Sequence, residues 1–338
     1  MKRIITAVIA ITFLGSFYGQ QDIHVSNFFA SQNWLNPASA GFFEGDVRFY
    51  GDYRSQWTKI SPNAFKTTSI SVDGRILDKN LKNGFLASAI NFYNDVTGDG
   101  FMKTNNVSAN INYALEIDQY NRIALGLNFG LLSRSLTFAN FQWDNQWNGD
   151  TFDTSVSSGE SGLNASFSKL DLGAGMYYYG MPSDNVRVYC GVGLMHLTKP
   201  NVSLYSGEDN LYMKVNINGG ANISLPLKKM VFMPNFMVML QGPNKVLNVG
   251  TDVKYILKEP SHFTAFYDET SFALGAYYRA GDALFGTLRF SMKGVSLGIS
   301  YDMTLSDLSK ANNGFGAVEM MLMYRLSLGG GGYGKASF

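Results

Sequence analysis

The chain has 338 residues and a formal net charge of +1. Length admits one large domain or two, and the balanced charge implies no long-range attraction to nucleic acid. Gly is abundant (36), Pro scarce (8), and aromatics make up 14%. A mean hydropathy of -0.05 is far too low for a bundle of membrane helices and suits strands that are apolar on one side and polar on the other.

The first segment reads as a Sec signal peptide. Lys2 and Arg3 form a positive start, Ile4 to Phe13 an apolar run, and Gly15, Ser16 and Gly19 precede the polar Gln20, Gln21 and Asp22. Cleavage is expected after Gly19, giving a signal peptide over 1–19. Beyond it no apolar run approaches the ~18–20 residues of a spanning helix. Residues 20–45 have no clean period and form a lead-in, a natural candidate for a plug or periplasmic cap.

From Asp46 to Leu328 one pattern repeats. Its clearest instance is Asn105 to Ile117, where Asn106, Ser108, Asn110, Asn112 and Glu116 alternate with Val107, Ala109, Ile111, Tyr113, Leu115 and Ile117. Side chains alternate faces on a strand, so one face is polar and the other apolar. Ordinary strands run about 5–6 residues, whereas a tilted strand needs ~9–11 to cross a bilayer. About fourteen such strands can be counted, an even number as in bacterial single-chain barrels. The predicted fold is therefore all-β: a transmembrane outer-membrane β-barrel of antiparallel strands over 46–328, followed by a Gly-rich tail over 329–338. Hydrocarbon cannot satisfy backbone N–H and C=O groups, so such a sheet must close.

If the first strand runs outward, the long connections near 94–103, 134–168, 196–211 and 304–315 are extracellular. The tight ones near 118–121, 180–184, 226–229 and 293–294 are then periplasmic. Gly242 to Asn244 (short, outer) and Lys258 to Glu269 (long, inner) depart from this. The expected location is the outer membrane, in contact with its lipid, with both termini periplasmic. Aromatics near strand ends, such as Trp57, Tyr93, Tyr120, Tyr177 to Tyr179, Tyr255 and Tyr324, suit interfacial girdles. Whether the lumen is open, filled by side chains or plugged stays open at this point.

Little in the sequence suggests chemistry. The single cysteine, Cys190, excludes an intrachain disulfide and reads as a small lipid-facing residue beside Val188 and Val192. The three histidines, His24, His196 and His262, lie far apart and lack ligands at metal spacing. No metal, cofactor or catalytic residue is expected. Asp95 to Gly100 looks slightly like part of a calcium loop but lacks the later acidic ligands and reads as a turn. Asp171, Asp252 and Asp302 fall on polar faces, with Arg187, Arg289 and Arg325 as candidate lumen partners. The outer loop with Phe138, Phe141, Trp143 and Trp147 is a candidate partner-binding surface, or else it folds back on the barrel rim.

The lead-in makes the reading specific. Gln21-Asp22-Ile23-His24-Val25-Ser26-Asn27-Phe28-Phe29, then Asn36-Pro37-Ala38-Ser39-Ala40-Gly41, then Tyr53-Arg54-Ser55-Gln56-Trp57 resemble the start of the PorP/SprF family of type IX secretion proteins of Bacteroidetes. Ser300-Tyr301-Asp302-Met303, Ser306-Asp307-Leu308 and Glu319 resemble its end. Asn27 stands where that family usually has Gln. The resemblance implies a non-enzymatic outer-membrane barrel that binds or anchors a large secreted adhesin, or components of the secretion system, at the cell surface. Some members act with gliding motility. Asn36, Pro37, Gly41, Tyr53, Arg54, Gln56, Trp57, Tyr301, Asp302 and Glu319 would then be structural motif residues. A passive diffusion or uptake channel for small solutes is the alternative, and an outer-membrane enzyme finds no nucleophile and base at readable spacing.

Overall fold

The computed structural model describes residues 22–30, 32–61, 63–77, 81, 83–98, 100–137, 141–159, 166–204, 207–258 and 269–328. The expected signal peptide, the Gly-rich tail, Phe138 and His262 lie outside the described residues. The strands are β1 (Val47–Gln56), β2 (Phe65–Leu77), β3 (Gly84–Thr97), β4 (Met102–Glu116), β5 (Asn121–Ser135), β6 (Ser166–Ser183) and β7 (Val186–Met195). They continue as β8 (Lys214–Leu225), β9 (Met230–Gln241), β10 (Asn244–Lys258), β11 (Thr270–Arg279), β12 (Ala283–Met292), β13 (Val295–Thr304) and β14 (Phe315–Leu326).

Each strand pairs antiparallel with its sequence neighbours, and β1 pairs with β14 from Val47↔Leu326 to Gln56↔Ala317, so the sheet closes. Closure leaves no edge of unpaired backbone groups. The period-two pattern sets the two faces. In the bare chain Leu125 is 65% exposed and Ile90 64%, whereas Asn91 is 1% and Asn110 2% exposed. This is the reverse of a soluble protein and fits a wall that faces hydrocarbon outside. Cys190 is exposed on that wall.

The connections at the two mouths differ. One mouth carries 57–64, 98–101, 136–165, 196–213, 242–243, 280–282 and 305–314; the other carries 78–83, 117–120, 184–185, 226–229, 259–269 and 293–294. The first is the long-loop mouth, the second the short-turn mouth. Asp95 is no part of a loop: it lies inside β3 and accepts the Thr67 hydroxyl at 2.6 Å.

Burial of the inward asparagines has a cause inside the barrel. The described residues 22–30 and 32–45 run through the lumen. Asp22 meets His196 and Lys214 at the long-loop mouth, Asn33 meets Asn91 and Asn110 halfway, and Glu44 meets Arg187 and Arg325 at the short-turn mouth. Asp46 then enters β1 beside Leu326, and its carboxylate accepts the Leu328 N–H at 2.6 Å. Asp22 and Leu328 therefore stand at opposite mouths, so the expected placing of both termini on one side does not extend to the described start of the lead-in.

Candidate functional site

The lumen and the segment threaded through it form one site with three zones. At its outer end the backbone N–H groups of Ser26 and Asn27 donate to the two Glu319 carboxylate oxygens at 2.8 and 2.7 Å. Arg54 donates to the same carboxylate at 2.9 Å, to Asp302 at 2.9 Å and to the Ser26 hydroxyl at 2.8 Å. Arg279 donates to Asp302 at 3.0 Å and to the Ser26 hydroxyl at 2.9 Å, and that hydroxyl donates to Asp302 at 2.7 Å. Two guanidinium groups thus face two carboxylates, all buried. Burying such charges is costly unless paired and hydrogen-bonded, and here they are both.

Beside this lies a second knot. His196 Nδ1 sits 2.8 Å from Asp171 and its Nε2 3.1 Å from Asp22, which also pairs with Lys214. An imidazole flanked by carboxylates on both nitrogens must donate from both, so it is held as imidazolium. Burial alone would lower the His196 pKa, but hydrogen bonds to Asp171 and Asp22 outweigh it and the net shift is upward. Burial likewise pushes Asp22 up, but Lys214 and His196 more than reverse this and hold its carboxyl far below the usual range. Although His196 and two acids converge, no group of metal-ligating side chains occurs among the described residues.

The middle zone uses amides and missing side chains instead of charge. Asn36 caps the short 3-10 turn Pro37–Ser39, accepting the Ala38 N–H at 3.0 Å, and donates to the Met176 carbonyl at 2.8 Å. Asn112 of β4 donates to the carbonyls of Ala38 and Ala40, each at 2.8 Å. Asn216 donates to the Leu35 carbonyl at 3.0 Å. Glycines clear the path: a Cβ on Gly126 would sit 2.6 Å from the Ala38 backbone, and one on Gly175, Gly191 or Gly193 would overlap Asn36 or the Leu35 carbonyl. Gly41 turns the chain at φ +79 and donates its N–H to Asp73 at 3.0 Å, which Arg48 grips at 2.8 and 2.9 Å. That positive φ favours glycine.

The inner zone is aromatic and basic. Phe42 packs on Phe85 and Tyr177 at centroid distances of 5.2 and 4.9 Å, and Arg75 donates to the carbonyls of Gly41 and Phe43 at 3.0 Å each. Phe28 and Phe29 pack further up on Tyr277, Phe29 stacking at 5.3 Å.

The motif residues divide accordingly. Asn36, Pro37, Gly41, Arg54, Asp302 and Glu319 meet at the lead-in, and Gln56 supports Arg54 by accepting from its Nε at 3.2 Å. Tyr53 and Tyr301 do not join them: each is 43% exposed on the outer wall. Trp57 stands just past β1 against Phe65 at 4.7 Å. The candidate lumen charges, for which no specific pairing was expected, find mostly other partners. Asp302 pairs with Arg54 and Arg279, Asp171 with His196, and Arg187 and Arg325 with Glu44; of the candidates, Arg289 and Asp252 meet each other, at 3.9 Å. Ser26 lies in the lead-in motif and Gly193, His196 and Arg279 in weaker family-like stretches, but their roles in these networks and in the glycine cradle could not be read, because their partners lie far off in sequence.

The outer loop behaves differently. Phe141 folds back on the rim, where a Cβ on Gly100 would strike its ring, and packs on Trp143 at 5.8 Å. Trp147 is 50% exposed and packs on Phe152 of its own loop at 5.0 Å.

The family model described as "Type IX secretion system membrane protein PorP/SprF" matches residues 17–324, nearly the whole chain. The chain belongs to this family. As a PorP/SprF protein with a closed strand barrel it is an outer-membrane barrel of the type IX secretion system. No curated protein matches it significantly. Among solved structures, the Ralstonia pickettii toluene transporter TbuX is 9% identical, covering 88% of this chain and 93% of that one at TM-score 0.49. A Pseudomonas aeruginosa FadL homologue is also 9% identical, covering 87% and 93% at TM-score 0.46. Likeness at that level carries no argument about what the PorP/SprF protein transports or binds.

Proposed function

We propose that this PorP/SprF barrel is a non-enzymatic scaffold that holds a secreted protein, or other components of the type IX system, at the cell surface. The observation that carries this reading is the lead-in. It runs from mouth to mouth of the lumen and is tied to the wall by buried ion pairs, amides and a glycine cradle. A conduit for solutes needs that space, whereas a scaffold needs a rigid wall and exposed loops. The partner-facing surface in this reading is the outer loop, with Phe141, Trp143 and above all Trp147; Phe138 belongs to the same stretch of sequence.

The test is purification from the native outer membrane in mild detergent with mass spectrometry of what accompanies the barrel. A stoichiometric secreted protein or type IX component is expected. A lone barrel that conducts ions in planar bilayers would sink the scaffold reading in favour of a diffusion channel.

A further inference from the structure

We infer that the described outer end of the lead-in, Asp22 to His24, lies at the cell exterior, where it forms the floor of the long-loop mouth. This rests on the outer-membrane barrel and on which mouth faces out, not on the identity of the cargo.

Three observations carry it. The lead-in is threaded with a fixed direction. Its far end is tethered at the short-turn mouth, where Asp46 enters β1, and its beginning, Asp22, is held at the long-loop mouth by Lys214 at the start of β8 and by His196 just after β7. The long-loop mouth is the extracellular one, because barrels of this kind have short periplasmic turns and longer external loops. The 136–165, 196–213 and 305–314 connections are all at Asp22's mouth.

The third observation is what an approaching molecule would find there. A cavity of about 210 Å³ is walled by the strand ends and turns of that mouth, including Trp57, Lys245, Ala280, Asp282 and Thr304, and His24 of the lead-in lines it. Below His24 the way is closed by the Ser26, Arg54, Arg279, Asp302 and Glu319 network. The mouth is therefore floored by the lead-in itself.

The test combines two probes. A short epitope inserted between Gln21 and Asp22 is expected to be recognised by antibody on intact cells. Detection only after the outer membrane is opened, in barrels that still run as folded species in unheated gels, overturns the inference. In a Cys190→Ser background, His24→Cys and, separately, Lys310→Cys are expected to react with a membrane-impermeant maleimide on intact cells. Lys293→Cys, at an inner turn, is expected to react only after opening. Labelling of Lys293→Cys on intact cells overturns the orientation. Labelling of Lys310→Cys with protection of His24→Cys until opening, joined to an internal epitope, overturns the threading. Loss of a co-purifying partner would leave all these results unchanged, so failure of the scaffold reading is distinguishable from failure of this one.

Discussion

The lead-in and the outer loop between β5 and β6 are both irregular polypeptide, yet they are held in opposite ways. The loop is supported mostly by itself. Gln146 donates to the Val156 carbonyl at 3.0 Å, the Asp153 N–H donates to the Gln146 carbonyl at 2.7 Å, and Asn148 accepts from Asp150 and Thr151. The lead-in is held by side chains from strands all round the barrel, some of them more than 250 residues away. Local turns fix a loop's shape with small energies, and buried charges fix a segment's position with large ones. A region built the first way can change its surface without disturbing the wall. A region built the second way makes the wall depend on it.

The largest effect is expected from Arg54→Ala. It leaves the buried Asp302 and Glu319 short of a partner, and removing one member of a buried ionic group costs about 3–5 kcal/mol. The lead-in should loosen, seen as a lower temperature for loss of the folded gel species and as new conductance in planar bilayers. Unchanged values in both would show that the lead-in is not held by that network. Gly193→Val comes next. Its side chain would enter the space of the Leu35 carbonyl, and overpacking costs about 1–3 kcal/mol. The same two measurements apply, with the middle of the lead-in displaced while the outer knot persists. Asn112→Ala leaves two buried carbonyls without their donor, an expected cost of ~1–3 kcal/mol. Here slower hydrogen exchange at 38–41 than in the wild type would contradict the assignment.

The fourth prediction concerns pH. The His196 pKa is raised above its ordinary 6.5, so its stabilisation is full below that value and is lost as pH rises through the higher folded pKa. Asp22 is lowered below its ordinary 3.8, so its stabilisation is present above that value and is lost as pH falls. The outer end of the lead-in should be held best between these two and should loosen on the alkaline side first. The alkaline loss should be blunted in His196→Gln, as followed by thermal denaturation against pH. The smallest stability effect is expected from Trp147→Ser, within about 0.5 kcal/mol because the ring is half exposed. Its effect should appear instead as loss of a co-purifying partner. A large drop in barrel stability would mean that the loop is not the independent element its hydrogen bonds describe.

The sequence by itself determined the wall. Alternation of Asn106, Ser108, Asn110 and Asn112 with Val107, Ala109, Ile111 and Tyr113 decides which side chains face lipid, because period two is a local property of extended backbone. The lengths of the segments, the even strand number and the family motifs were legible for the same reason, each being written in consecutive residues. Tertiary structure alone decided what fills the lumen and who pairs with whom. Period two says that Arg54, Asp171, Asp302 and Glu319 point inward, but not that Arg54 reaches both Asp302 and Glu319, nor that Asp171 meets His196. Nor does it say that Gly126, Gly175, Gly191 and Gly193 are small because Leu35 to Ala38 lies on them. Those facts depend on closure of β1 on β14 and on the path of a segment with no period of its own. Both are set by packing between residues hundreds of positions apart.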